Sequence, residues 1–364
     1  MSSNDLVRSR RRARIGFASS LVAVALAACT PSSQSTPAPQ PPAPQPPPYY
    51  GPGPQGTYPQ GTYPQPPPQG SYRPAPGPTA APYPTAPAPA PQAAPLLAPL
   101  VGVPAQQQEV RQILAELVAA LPPQNKAKVG NIPMTFDPTG EVNAFAGCDE
   151  RGQPFMAATA GILEAVDAIA QTRATDELFG TKTYDAYASA VLPRIARDEN
   201  ARAGLPAGII PANLGPDLRR WSRAREIFQE VMAFTMGHEL AHHYLGHTGC
   251  ANGQPMGNAP DPALLGRLLT RIPTFNQVAE AAADSSGVMD VLSAGRARRP
   301  QYAWTENGGL YLLDFFARLE TAAGGGGPLT LLSPVQFLRT HPNPLARIPI
   351  VQTVARSWRS QNPG

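Results

Sequence analysis

Several signatures of familiar chemistry are missing from this chain of 364 residues. There is no Gly-x-Ser-x-Gly elbow, so a serine nucleophile of that type is excluded. The run Gly324–Gly327 lacks the Lys-Ser/Thr ending of a phosphate loop and reads as a flexible loop. Charged residues amount to 15% and aromatic residues to 7%, which is not the composition of a single evenly folded domain. A basic surface is missing too. The formal charge is +4, but Arg8, Arg10, Arg11, Arg12 and Arg14 precede residue 29 with Asp5 the only acid there, and without that segment 24 basic residues face 24 acidic ones. A neutral chain with no basic cluster has nothing to track a phosphate backbone, so nucleic acid is excluded as a partner.

Proline is abundant and localised: 27 of the 47 lie between Thr30 and Pro104, where Arg73 is the one charged residue. Such a stretch cannot bury a core, and residues 29–104 read as a disordered tether. It carries an imperfect repeat, Gly56-Thr57-Tyr58-Pro59-Gln60 followed by Gly61-Thr62-Tyr63-Pro64-Gln65, with an echo at Gly70-Ser71-Tyr72. At about 3.1 Å per residue in polyproline II, it could reach on the order of 200 Å. A docking strip for a proline-binding partner in the envelope is the alternative use of its tyrosines. Ahead of it, an arginine-rich head and an apolar run from Ile15 to Ala28 read as an export signal over residues 1–28, too short to span a bilayer comfortably. Its ending, Leu26-Ala27-Ala28-Cys29, resembles the bacterial lipobox, in which the cysteine is lipidated and becomes the first residue; an ordinary signal cut after Ala28 is the alternative. Lipidation of Cys29 implies a membrane partner through the anchor and a periplasm-facing envelope location, with Thr30 rather than Asp at the next position favouring the outer membrane.

Residues 105–364 are left to fold. Helical periodicity marks Glu109–Leu121, which Pro122-Pro123 stops, then Gly161–Ala170, Tyr184–Ala196, Asp217 to about His247, Phe275–Ala294 and Leu310–Thr321. Glu141–Ala146 reads as a short strand, and strand candidates are few. The expected fold class is mainly α with a small β-sheet (α+β). Cys148 would flank the edge segment and Cys250 the end of the histidine-bearing helix; in an oxidising compartment a disulfide between them is expected, two unpaired buried thiols being the alternative. Neither has a catalytic histidine beside it in sequence.

All five histidines occur as His238, His242, His243, His247 and His341. In His238-Glu239-Leu240-Ala241-His242 two imidazoles stand one helical turn apart, so both can reach one Zn²⁺ from the same face, with Glu239 free to face the open side of the metal. Ile227, Val231 and Phe234 make the helix amphipathic. The bland alternative is a helix whose polar face happens to carry two histidines. Thirty-eight residues after His242 stands Glu280-Ala281-Ala282-Ala283-Asp284: Glu280 could complete a His₂Glu site, and Asp284, one turn on, could accept a ligand histidine's other ring N–H. The metzincin spacing is excluded, because Leu245 and Thr248 stand where it requires Gly and His.

Together with His247, Thr340-His341-Pro342, Arg347 and Asn143-Ala144-Phe145-Ala146, these motifs resemble the M48-type gluzincin metallopeptidases over about residues 110–350. The resemblance implies a zincin-like fold with an active-site helix and an edge strand. It implies one Zn²⁺ per chain on His238, His242 and Glu280, with Glu239 as general base and Asp284 behind the ligands. His341 would contact substrate or stabilise an oxyanion, Arg347 would be its partner arginine, and Asn143 would lie where an extended substrate pairs with the edge strand. His247 reads as a structural helix histidine, Arg347 alternatively as an ordinary surface ion pair, and His243 as a bystander. Two departures stand out. Gly246 replaces an arginine usual in the family, and residues 167–218 look like an inserted helical lid. The expected activity is zinc-dependent hydrolysis of polypeptides in envelope protein quality control. The alternatives are a chaperone-like protein that binds clients with gated or no proteolysis, and a scaffold with structural zinc.

Overall fold

The computed structural model describes residues 95–251, 277–298, 302–324 and 335–363. The signal segment 1–28, Cys29, residues 30–94 of the proline-rich segment, Phe275 and residues 325–327 of the glycine run lie outside the described residues. Val110, Ile113, Leu114, Leu117 and Val118 are buried on one face of α1 (Val103–Ala120), which starts earlier than its apolar pattern because Gly102 and Pro104 form its entry. Pro122 and Pro123 end α1, and the second of them opens α2 (Pro123–Val129). The tether boundary at residue 104 needs correction. Leu97 N–H donates to the Leu205 carbonyl at 2.7 Å and Ala207 N–H to that of Pro95 at 2.8 Å, so the chain is docked from Pro95 onward.

Three short strands follow: β1 (Met134–Asp137), β2 (Ala144–Cys148) and β3 (Pro154–Thr159). They form a mixed sheet in the order β1-β3-β2, with β1 parallel and β2 antiparallel to β3. Strand β2 is therefore at an edge. Thr159 N–H bonds the Asn143 carbonyl at 3.0 Å, which makes that opposed pair the hydrogen-bonded kind. By alternation, the main-chain groups of Phe145 and Gly147 also face β3, while those of Ala144 and Ala146 point away from the sheet.

Thr159 caps α3 (Ala160–Phe179), accepting from Ile162 N, and Gly180 at φ 65° ends it. The Asp176 carboxylate near that end accepts from Thr183 N and Tyr184 N at 2.7 and 3.0 Å, starting α4 (Thr183–Ile195) in a new direction. The segment expected as a lid, 167–218, begins inside α3. Residues 167–179 are the second half of α3, buried against α5 (Leu218–Tyr244), and α4 inserts Tyr184, Tyr187, Val191, Leu192 and Ile195 into the same core.

Helix α5 is the axis of the fold. Every residue from Val231 to Tyr244 is buried, as befits a helix with neighbours on all sides. Around it pack α1, α3, β2, α6 (Gln277–Ala297) and α7 (Asn307–Ala322). The short α8 (Gln336–Thr340) leads through His341 and the left-handed Asn343 (φ 56°) into α9 (Pro344–Gln361), which lies on α6 and α7. Among the described residues the fold is mainly helical with one small mixed sheet. Among the described residues no helix is long and apolar enough to cross a membrane.

Candidate metal centre

One turn of α5 separates His238 from His242, and their Nε2 atoms lie 3.0 Å apart. Helix α6 supplies the carboxylate: Glu280 Oε1 is 3.2 Å from His242 Nε2, and Oε2 is 3.6 Å from His238 Nε2. The two helices come this close because glycine faces glycine. A Cβ on Gly287 would lie 2.8 Å from His238 N and 3.0 Å from the Gly237 carbonyl carbon, so neither position tolerates a side chain without moving backbone. After α8 the His341 ring, stacked on Phe337 with centroids 4.4 Å apart, joins the group. One ligand atom from each of His238, His242, Glu280 and His341 lies within 4.8 Å of all the others.

The donors fit a cation. His238 Nδ1 is 3.0 Å from Asp284 Oδ1, and a ring N–H given to that carboxylate leaves the lone pair on Nε2. His242 engages its Nδ1 with His247 Nδ1 at 2.9 Å, which turns its own Nε2 toward the same point. Glu280 is fully buried, so both of its oxygens are held within the group. Electron-rich atoms this close in dry surroundings repel one another unless a positive charge lies among them. The group could hold one metal ion.

Arg347 organises the outer ring of charge. It is buried, grips Asp284 with Nε and Nη2 at 2.7 Å each, and places Nη1 2.7 Å from Glu280 Oε2. For both carboxylates burial opposes ionisation. In Asp284 that cost is outweighed by Arg347 and His238, which bring the pKa to about 2. In Glu280 it is outweighed by His341, Arg347 and His238, which hold the carboxyl well below the usual range. Burial also lowers His238, but Glu280 and Asp284 outweigh it and raise that pKa; in His242 burial prevails, at about 4. Glu239 Oε2 accepts the Ala146 N–H at 2.9 Å, while Oε1 lies 3.3 Å from His341 Nε2 and 4.0 Å from His238 Nε2. Burial would raise Glu239, yet His341 and the two α5 imidazoles bring it below its ordinary value. None of these seven residues is more than 5% exposed.

Comparison with protein-family models, curated proteins and solved structures finds no match.

The structure thus brings His238, Glu239, His242, Glu280, Asp284, His341 and Arg347 into one cluster, and Arg347 is no surface ion pair. Asn143 lies just before β2, three residues from the Ala146 amide that meets Glu239. Cys148 and Cys250 form a disulfide, S–S 2.17 Å, tying the end of β2 to the segment after α5. Two histidines differ from their sequence reading. His247 lies beyond the end of α5, not in it, and its ring orients His242. His243 is no bystander. It is buried, its Nε2 meets the Phe155 carbonyl at 2.9 Å and its Nδ1 meets Thr248 Oγ1 at 3.0 Å, so it fastens α5 to β3. Its position beside His242 puts it on a different helical face from the ligands, a signal of a structural role. Cys29 lies outside the described residues.

Proposed function

We propose that the chain is a zinc-dependent endopeptidase of the M48-type gluzincin kind, held in the bacterial envelope by a lipid on Cys29 and acting on polypeptides in protein quality control. The observation that carries this reading is the meeting of two imidazoles from α5 with one carboxylate from α6, and of Glu239 with the edge of that group. His238, His242 and Glu280 would hold the ion, a donor set that suits zinc. Zinc bound there would polarise a scissile carbonyl and lower the pKa of water.

The remaining work falls to the protein. Glu239, ionised at neutral pH by its lowered pKa, takes a proton from the attacking water and returns it to the leaving amine. His341, 3.3 Å from Glu239, supplies a donor toward the developing oxyanion. Asp284 and Arg347 orient His238 and Glu280 through the bonds described above. The outward-facing main chain of Ala144 and the carbonyl of Ala146, whose N–H is given to Glu239, form the edge on which an extended peptide would lie. The test is a Glu239→Gln variant assayed on casein with its metal content measured. It should bind metal and fold as wild type yet lose cleavage; turnover by the purified variant would refute Glu239 as the base.

One observation favours a second reading. His341 brings a fourth side-chain donor into the group, and closure by four protein ligands is the habit of structural zinc sites. A scaffold with structural zinc would then bind metal more weakly in a His341→Ala variant, whereas the endopeptidase would keep its metal and lose rate.

A further inference from the structure

Just ahead of β2, Asn143 has its main chain fully engaged. Its N–H donates to Thr159 Oγ1 at 3.2 Å, and its carbonyl accepts from Thr159 N and Oγ1 at 3.0 and 2.9 Å. The side chain is engaged at one end only. Nδ2 donates to Glu141 Oε1 at 2.8 Å, while Oδ1 is buried with no hydrogen-bond partner among the described residues, in a residue 1% exposed. A buried acceptor left unpaired is costly, and one that persists beside a candidate site calls for a ligand. The bond to a carboxylate decides which end of the amide is which, since only the NH₂ end can donate to it.

We propose that Glu141 is the positioning residue for Asn143: by holding the amide through Nδ2 it aims Oδ1 at a main-chain N–H of an extended polypeptide laid along β2. This rests on the endopeptidase reading only for the direction of the peptide; the occupant itself is unfolded polypeptide. Ala144 offers outward main-chain groups and Ala146 its carbonyl, its N–H being given to Glu239, so Asn143 begins a row of backbone-reading positions that needs no side-chain specificity from its client.

The same pair is a pH-dependent contact. Burial, then the carboxylates of Glu199 and Asp137, push the Glu141 carboxyl up to about 7, against the Asn143 hydrogen bond and the Arg339 charge. Ionised Glu141 can only accept, which leaves Oδ1 for the peptide. Protonated Glu141 can donate to Oδ1 and withdraw it. Peptide affinity therefore falls as the pH drops through 7.

The experiment uses full-length, metal-loaded Glu239→Gln protein and fluorescein-labelled reduced casein, with binding read by anisotropy between pH 5.5 and 8.5. With Glu141 present, Kd should rise about tenfold toward low pH with a midpoint near 7, a factor ordinary for one hydrogen bond to a charged group. Adding Glu141→Gln, which removes the titration and, like protonated Glu141, carries a donor able to engage Oδ1, should flatten the profile at its low-pH value. Adding Asn143→Ala should weaken binding at every pH and remove the step. Circular dichroism of each variant separates lost binding from lost fold. A step that survives in Glu141→Gln, unchanged binding in a folded Asn143→Ala, or no casein bound at any pH would overturn the proposal. Casein cleavage by wild type is scored separately: a pH step without cleavage leaves the Glu141 assignment standing and sinks the endopeptidase reading, whereas cleavage without the step does the reverse.

Discussion

Replacing Gly287 by alanine tests whether the approach of α5 and α6 builds the metal centre. The added methyl group would meet His238 N at 2.8 Å, the Gly237 carbonyl carbon at 3.0 Å and His238 Cα at 3.1 Å. All three are backbone atoms of α5, which no rotamer change can move. Ordinary contact begins near 3.4 Å, so α6 must retreat by about 0.6 Å. Metal–ligand distances tolerate only about 0.2 Å, so a rigid retreat would pull Glu280 and Asp284 out of range of His238 and His242. The expected result is a zinc affinity lower by about 10- to 100-fold, the usual loss when ligand support fails. Overpacking should also cost about 1–3 kcal/mol in stability. Chelator competition measures the first and thermal melting in excess chelator the second. Leu117→Ala, in the fully buried face of α1, serves as control: it should lower the melting temperature through a cavity while leaving zinc affinity in the folded protein intact. Wild-type affinity and stability in Gly287→Ala would show that the helix contact does not set the site.

Arg347→Met keeps the apolar stem but leaves the Asp284 and Glu280 carboxylates buried without their cation; urea unfolding in chelator should show a loss on the order of 3–5 kcal/mol, and unchanged stability would contradict the charge balance described here. Asp290, whose contact is the Tyr244 hydroxyl at 2.8 Å, is pushed by burial from 3.8 to about 7. Because the folded state holds that proton more tightly, its contribution is complete below pH 4 and is lost as the pH rises through 7. Asp290→Asn should therefore be more stable than wild type above pH 7, by at most roughly 4 kcal/mol, and no different at pH 4; an equal pH dependence in the two proteins would rule this out. The Cys148–Cys250 bond closes a loop of 102 residues, so reductant should lower the melting temperature by the equivalent of about 4 kcal/mol, and a double serine variant should melt at that lower temperature with or without reductant.

Elements whose apolar residues fall on one face of a helix were legible in the chain itself. Val110 to Val118 marked α1, and Ile227, Val231 and Phe234 marked the helix that carries His238 and His242. Strand β3 was not, because Pro154–Thr159 is buried on both faces and shows no alternation to distinguish it from the start of α3. Helix α9 is missing from the helices drawn from periodicity; it holds Pro344 in its opening turn and Pro349 within it, and proline ordinarily opposes a helix beyond the first turn. Residues 167–179 read as part of an insertion because the resemblance led from the edge strand quickly to the histidine helix, and no local pattern showed that they continue α3.

The candidate centre divides in the same way. One turn of helix fixes the interval between His238 and His242, and another that between Glu280 and Asp284, so spacing and donor chemistry follow from local periodicity and residue type. The meeting of those pairs does not. It depends on two glycines letting α5 and α6 touch, on His341 arriving from a segment far along the chain, and on Arg347 neutralising the carboxylates it grips. The unpaired oxygen of Asn143 is likewise a property of its surroundings. Periodicity is written residue by residue, whereas distances between elements come from how their surfaces pack, and packing is decided only when the whole core closes.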